Sequence, residues 1–176
     1  ACLVGSEMCI RDSRHTARPP DTHVAWALCA TESVLVATRA YIRQHGEPQS
    51  PTELQAHNCL HYPRSQDTPA WTFEPRQPSE AGERITVPVS GHFAANNSEA
   101  LREAALTGAG IALMPDFSAQ AELRKGQLVR VLPGWKPVGA FAETIYAIRP
   151  YAPHVPRAVT ALVAHLRAGL VMGFGT

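Results

Sequence analysis

A helix that runs directly into a buried strand is the feature of this sequence that most constrains its fold. Asn96–Thr107 carries apolar residues at the spacing of one helix face, with Asn96 as the expected N-cap and Glu99 three residues further on. Two glycines then stop the helix, and the continuous apolar run Ile111–Met114 predicts a buried strand. A helix and a buried strand in such close succession favour an α/β domain.

Other strand and helix patterns alternate along the rest of the chain. Pro88 would remove a hydrogen bond from a central strand, so the strand around it is expected near a sheet edge. The alternation predicts a mainly parallel sheet, with ligand sites beyond the carboxyl ends of its strands. The further predicted elements are the strands Ser33–Ala37, Trp71–Phe73, Ile85–Val89, Leu128–Leu132 and Ile145–Ile148, and helices at Arg39–His45, Ser50–His57, Asp116–Arg124 and His154–Ala168.

Composition excludes several classes of protein. The chain has 176 residues and a net charge of +1, which gives no general electrostatic reason to bind nucleic acid. It has neither an apolar run long enough to span a membrane nor the pattern of a secretory signal, so a cytoplasmic protein is expected. The 4 cysteines form no metal-site spacing, which favours free thiols over disulfides.

Motifs for catalysis are missing from the sequence. There is no phosphate-binding loop, no nucleophile elbow around a serine, and no zinc-binding pair of histidines on a convincing helix. His57 and His61 are four apart, but they are expected at a helix end leading into a strand, where a structural role is more common. The sequence therefore predicts a binding protein rather than an enzyme, with no metal ion and no cofactor.

Several segments, taken in order, resemble the LysR-type transcription regulators, over residues 20–168. Ser33–Ile42 (SVLVATRAYI) resembles their VLVASPAYL passage, and Asn97–Pro115 (NSEALREAALTGAGIALMP) is similar to their helix followed by G-x-GIALLP. Weaker similarities lie in TELQAHNCL at Thr52–Leu60, in Trp71-Thr72-Phe73, in GQLVRVLPGW at Gly126–Trp135, and in the closing helix Val155–Leu166.

The resemblance implies an α/β fold with two lobes, like the type II periplasmic binding proteins, with the second lobe complete and the first lobe partial. On that template, Ser33–Ala37 and Thr144–Ile148 are the crossing strands. The expected division is 18–38 for the end of the first lobe and first crossing strand, 39–143 for the second lobe, 144–168 for the second crossing strand and closing helix, and 169–176 for a tail. Residues 1–17 carry no periodicity and are expected to be disordered or foreign to the fold.

The resemblance also implies a function. It predicts an effector-sensing domain that binds a small, possibly carboxylate, molecule between its lobes and thereby controls a DNA-bound homo-oligomer. DNA contact would come only from a helix-turn-helix outside this chain, and no membrane contact is implied. A solute-binding protein of a transporter has the same fold and stays open as an alternative, as does, with less support, a small α/β enzyme.

The candidate effector-binding residues are Thr38, Asn96, Asn97, Ser98 and Tyr146. Asn96–Ser98 opens the strongest helix, where unpaired backbone N–H groups and the helix dipole favour an anion. The alternative role for this turn is plain N-capping. The resemblance places Thr38 after the first crossing strand, facing the cleft, and Tyr146 in the second crossing strand, with its direction left open.

Overall fold

The fold is an arrangement of ten strands and four α-helices in the part of the chain that a computed structural model describes, residues 12–15, 23–63, 69–77 and 84–174. In order, these elements are β1 (Asp12–His15), β2 (His23–Ala30), β3 (Ser33–Ala37), α1 (Arg39–His45), a 3₁₀ helix (Pro51–Ala56), β4 (Cys59–Leu60), β5 (Ala70–Pro75), β6 (Ile85–Pro88), α2 (Ser98–Leu106), β7 (Ile111–Pro115), α3 (Asp116–Arg124), β8 (Val129–Arg130), β9 (Trp135–Val138), β10 (Thr144–Pro150) and α4 (Arg157–Gly169).

Residue contacts divide the chain into two units. Unit 1 takes in the described residues up to Thr31 and from Phe141 onward, and unit 2 is Glu32–Ala140. The predicted crossing strands therefore each belong wholly to one unit. Strand β3 is an inner strand of unit 2, and β10 is the middle strand of unit 1. The chain passes between the units beside these strands, at residues 31–32 and 140–141.

Unit 1 contains an antiparallel sheet in the order β1-β10-β2. One face of this sheet packs on α4, through Ala147, Val159 and Val163 with Trp26 and Leu28. Residues 1–17 were expected to lie outside the fold, but residues 12–15 pair with β10 along its length. The reason is that strand pairing needs only backbone groups in register, which side-chain periodicity does not reveal.

Unit 2 contains two sheets, β4-β7-β3-β8 and β6-β5-β9. The four-stranded sheet buries the apolar strand β7 completely, as the sequence predicts, and α2 and α3 pack on it. Its core consists of Val34, Val36, Leu60, Leu101, Ala105, Ala112, Met114, Ala119 and Leu128. Strand β6, with Pro88 at its end, lies at the edge of the three-stranded sheet, which confirms the edge prediction.

The expectation of a mainly parallel sheet is wrong. Among the named strands that the structure describes, β4 and β7 pair in parallel, and every other ladder is antiparallel. Strand β3 runs against both of its neighbours, and β5 pairs β6 as a hairpin. Alternation of helix and strand gives the order of elements, but the direction of a strand depends on which partner it meets. The described helices include none that is long and apolar enough to cross a membrane.

Candidate functional site

The start of α2 is built by Asn97, which is the N-cap. Its backbone is extended, at φ −136° and ψ 125°, and its side-chain Oδ1 accepts a hydrogen bond from the Glu99 N–H at 2.7 Å. The sequence pattern placed the cap at Asn96, which is wrong by one residue. Asn96 is exposed and precedes the cap. Both residues are asparagine, so residue type alone cannot say which of them is the N-cap. The residue at which the helix begins determines it.

Ser98 is the first residue of α2, and its side chain has a partner that the sequence did not reveal. The Ser98 Oγ lies 2.6 Å from the Tyr62 hydroxyl oxygen. Tyr62 follows strand β4, and the segment before α2 runs alongside it, since His61 and Ala94 form a parallel bridge. The backbone N–H of Ala95 donates to the His61 carbonyl oxygen at 3.1 Å. These backbone bonds bring the first turn of α2 to the carboxyl end of β4.

The turn offers hydrogen-bond donors at the positive end of a helix. The Ser98 hydroxyl lies in this first turn and bonds to the Tyr62 hydroxyl, so a ligand at the turn would lie beside both oxygens. The first-turn N–H groups have no partner within the helix itself, and Asn97 Oδ1 binds one of them. Glu99 adds an exposed carboxylate nearby, which limits how much negative charge the turn accommodates. This arrangement suits a small ligand with one acceptor group.

Thr38 follows the inner strand β3 of the four-stranded sheet, at the end of the strands away from the α2 turn. It follows the carboxyl end of β3, which runs antiparallel to β7, while β4 runs parallel to β7. The carboxyl end of β3 therefore lies at the same end of the sheet as the amino ends of β4 and β7. The α2 turn instead lies at the carboxyl end of β4. The Thr38 Oγ1 lies close to Gly108, shortly before β7: a Cβ added to Gly108 would be 3.4 Å from this oxygen.

The Thr38 side chain also has a structural role. Its Oγ1 accepts a hydrogen bond from the Tyr41 N–H at 3.2 Å and thereby caps α1. Thr38 and the Asn96–Ser98 turn are thus not brought together within unit 2. Within unit 2, Thr38 lies at the opposite end of β3 from residue 32, where the unit begins.

Tyr146 belongs to unit 1, where it is half-buried in β10. Its neighbour Ala147 packs in the core against Val159 and Val163 of α4. Since successive residues of a strand face opposite sides, Tyr146 faces away from α4. The packing of Ala147 fixes which face of the sheet carries Tyr146, and its role in effector binding stays a prediction.

The histidines that were weighed as metal ligands have other partners. His57 Nδ1 lies 3.3 Å from the Tyr41 hydroxyl, and His61 Nδ1 lies 3.1 Å from the Cys59 carbonyl oxygen. Within the described ranges, no group of three or more acidic, histidine or cysteine side chains is arranged to hold a metal ion.

A charged network at the beginning of unit 2 also escaped the sequence reasoning. Glu32 binds Arg130 through Oε1 and Arg76 through Oε2, each at 2.8 Å. Burial alone would raise the pKa of the Glu32 carboxyl, but the hydrogen bonds and charges of the two arginines outweigh it and hold that pKa below its ordinary value. The partners are 44 and 98 residues away along the chain, a separation that no local pattern reports.

Comparison with known proteins identifies the family of the chain. The family model of the LysR substrate binding domain matches residues 8–171. The chain belongs to this family. The match also takes in β1, so Asp12–His15 is part of the family domain.

Individual relatives are transcription regulators. The chain is 35% identical over 144 residues to the HTH-type transcriptional regulator PtxR of Pseudomonas aeruginosa, covering 81% of this chain and 43% of that protein. It is 30% identical over 133 residues to the probable HTH-type transcriptional regulator LtrA of Klebsiella pneumoniae, covering 76% of this chain and 41% of that protein. The chain therefore spans less than half the length of these relatives.

A solved structure confirms the fold class. The regulatory domain of AphB in Vibrio vulnificus superposes with a TM-score of 0.67 at 28% identity, covering 85% of this chain and 71% of that one. Regulatory domains of this family have the type II periplasmic-binding-protein-like fold, so the α/β fold predicted from the sequence is correct.

Proposed function

We propose that this chain is the effector-sensing domain of a bacterial transcription regulator, and that the turn at the start of α2 takes part in binding the effector. The observation that carries the second part is the hydroxyl pair of Ser98 and Tyr62, 2.6 Å apart beside a capped helix start. The chain acts by binding and not by catalysis. It works in the bacterial cytoplasm, where a regulator meets its promoter.

A small monocarboxylate is the ligand that this turn fits best. The helix start supplies backbone N–H groups and a positive dipole end, and the Ser98 hydroxyl lies in the same turn. Hydrogen bonds to a charged group each contribute about 1.5–3 kcal/mol, enough for these few donors to select an anion over a neutral analogue. The carboxylate of Glu99 in the same turn disfavours a ligand with two negative charges in close proximity.

Regulation follows from a difference in affinity. A ligand that binds one conformation of the regulator more tightly shifts the population toward it, and the DNA-bound homo-oligomer changes geometry accordingly. DNA contact belongs to a helix-turn-helix outside this sequence. Titrating the chain alone against promoter fragments should give no saturable, sequence-dependent binding, because its net charge is +1.

Two variants separate ligand binding from capping. Ser98→Ala removes a hydroxyl but leaves the Asn97 cap, so it should weaken carboxylate binding about tenfold, the loss of one charge-assisted hydrogen bond, and cost about 0.5–1.5 kcal/mol of stability through the lost bond to Tyr62. Asn97→Ala removes the cap and should lower the free energy of unfolding by about 1 kcal/mol.

Calorimetric titration with a panel of small carboxylates and urea unfolding would measure both effects. Tyr62→Phe keeps the ring and should weaken binding as Ser98→Ala does. If neither hydroxyl variant changes the affinity for any carboxylate that binds, the turn is structural and this assignment is wrong.

A further inference from the structure

The side-chain amide of Asn58 contacts two distant points of the chain in unit 2. Its Oδ1 accepts a hydrogen bond from the His92 N–H at 2.9 Å, and its Nδ2 donates one to the Ala109 carbonyl oxygen at 2.5 Å. The stretch between these partners, 93–108, contains all of α2. One amide group therefore joins the segment that enters α2 to the segment that leaves it.

The backbone of Asn58 is held in place by buried parts of unit 2. Its N–H donates to the Tyr41 hydroxyl at 3.0 Å, and its carbonyl oxygen accepts from the Ile111 N–H at 2.9 Å. Tyr41 is buried, and Ile111 begins the buried strand β7. Because the amide projects from a fixed backbone, its bonds determine where the two segments lie.

Glycine allows the segment that enters α2 to come this close to Asn58. A Cβ added to Gly91 would overlap the Cys59 carbonyl oxygen and would lie 3.0 Å from the Asn58 Oδ1. Further along, the Ala95 N–H donates to the His61 carbonyl oxygen, the bond that brings the first turn of α2 to β4. The Asn58 side chain holds the segment between these two contacts, directly ahead of the turn.

We propose that Asn58 is a positioning residue for effector binding, whose amide holds the entry to α2 and thereby keeps Ser98 at the Tyr62 hydroxyl. The inference rests on the proposed function, because Asn58 acts only through the turn that binds the effector. Asparagine suits the role, since one amide group carries an acceptor and two donors and serves both segments at once. Without these bonds the turn populates displaced positions, and the apparent affinity falls with the fraction of molecules that stay competent to bind.

The variant Asn58→Ala removes both side-chain bonds. Hydrogen exchange of the Ala95 amide, followed by two-dimensional NMR, should become about five- to tenfold faster, the range expected for the loss of one hydrogen bond. The affinity of the folded protein for propionate, a small monocarboxylate, should fall about fivefold in a calorimetric titration. Thr72→Ala is the matched control, because it removes one side-chain bond, to Thr86 at 3.0 Å, from the other sheet of unit 2. It should change neither quantity.

The variant Asn58→Asp separates positioning from stability. Its carboxylate keeps an oxygen for the His92 N–H, but it has no hydrogen for the Ala109 carbonyl oxygen and repels it. The urea midpoint should therefore fall, and the Ile111 amide, on the leaving side, should exchange faster. The exchange of Ala95 and the affinity for propionate should stay within about twofold of the unmodified chain, measured in about 1 M salt so that the added charge is screened.

Three results would overturn the role of Asn58. They are an unchanged Ala95 exchange rate in Asn58→Ala, exchange that accelerates equally throughout unit 2, and an unchanged affinity for propionate despite faster exchange. A merely structural amide gives the last of these, since it lowers the urea midpoint without altering binding by the folded protein. A chain that binds no carboxylate overturns the proposed function and with it the role in binding, whereas unchanged exchange at Ala95 overturns the role of Asn58 alone.

Discussion

Gly110 precedes β7 at a point where unit 2 has no room for a side chain. An added Cβ would overlap the backbone carbonyl oxygen of Asn58 and would lie 3.1 Å from the carbonyl carbon. That oxygen is itself fixed, because it accepts a hydrogen bond from the Ile111 N–H at 2.9 Å. Relief of the overlap therefore requires β7 to move away from β4 at the amino ends of these two buried strands.

The cost of Gly110→Ala follows from these contacts. Overpacking in a well-packed interior costs about 1–3 kcal/mol, and the strained hydrogen bond adds about 1 kcal/mol. We expect the free energy of unfolding to fall by about 2–4 kcal/mol, measured as a lower urea midpoint at unchanged slope. Gly134→Ala is the matched control, since no atom lies within 4 Å of its Cβ position and it has no positive φ. The control should be neutral or gain up to about 1 kcal/mol through the unfolded state. If Gly110→Ala unfolds at the same urea concentration as the unmodified chain, the close approach of β7 to Asn58 is wrong.

Three further predictions address the core, a buried histidine and a buried thiol. Leu101→Ala, at a fully buried position of α2, should cost about 2–5 kcal/mol, whereas Leu162→Ala, at a 41% exposed position, should cost far less in the same urea experiment. Burial and the neighbouring His45 lower the pKa of His57 below the ordinary histidine value of about 6.5, with Glu53 opposing, so the unfolded chain takes up a proton first as the pH falls. Stability should therefore be complete above that value and decline below it, and His57→Gln should flatten the decline in urea midpoints between pH 7.5 and pH 5.5; an unchanged slope would refute the assignment to His57. Burial raises the pKa of the Cys59 thiol to about 12, so little of it is thiolate at pH 8. Peptide mapping after alkylation at that pH should therefore find Cys59 modified far more slowly than the half-buried Cys29, and equal rates would contradict the burial of Cys59.

Local patterns predicted those elements whose structure depends on neighbouring residues. The α2–β7 passage, the edge position of β6 and the end of α3 before Gly126 all follow from apolar spacing, proline and glycine. Strands β1 and β2 were missed, because they are defined by pairing with β10, more than 100 residues further along the chain. Strand β9 was missed for a related reason, since Lys136 and Pro137 interrupt its apolar pattern and pairing with β5 defines it.

The candidate site was predictable to a similar extent. The helix start at residues 96–98 was visible in the sequence, but the choice of Asn97 over Asn96 as cap depends on the helix register. Tyr62 was not identified, because its contact with Ser98 spans 36 residues. An aromatic hydroxyl directly after a strand was the only local signal. The separation of Thr38 from the α2 turn was not predictable, because the direction of β3 relative to its neighbours is not encoded in β3 itself.

The most direct test of the proposed function is a map of where a small carboxylate binds on the unmodified chain. Backbone amide NMR during titration with the tightest carboxylate of the panel reports every affected residue at once. We expect saturable shifts at Tyr62 and at Asn97–Ala100, with Thr38 unchanged, because Thr38 lies near the amino end of β7, whereas the α2 turn lies at the carboxyl end of β4. Saturable binding that leaves Tyr62 and the first turn of α2 unshifted would contradict the claim that this turn binds the effector.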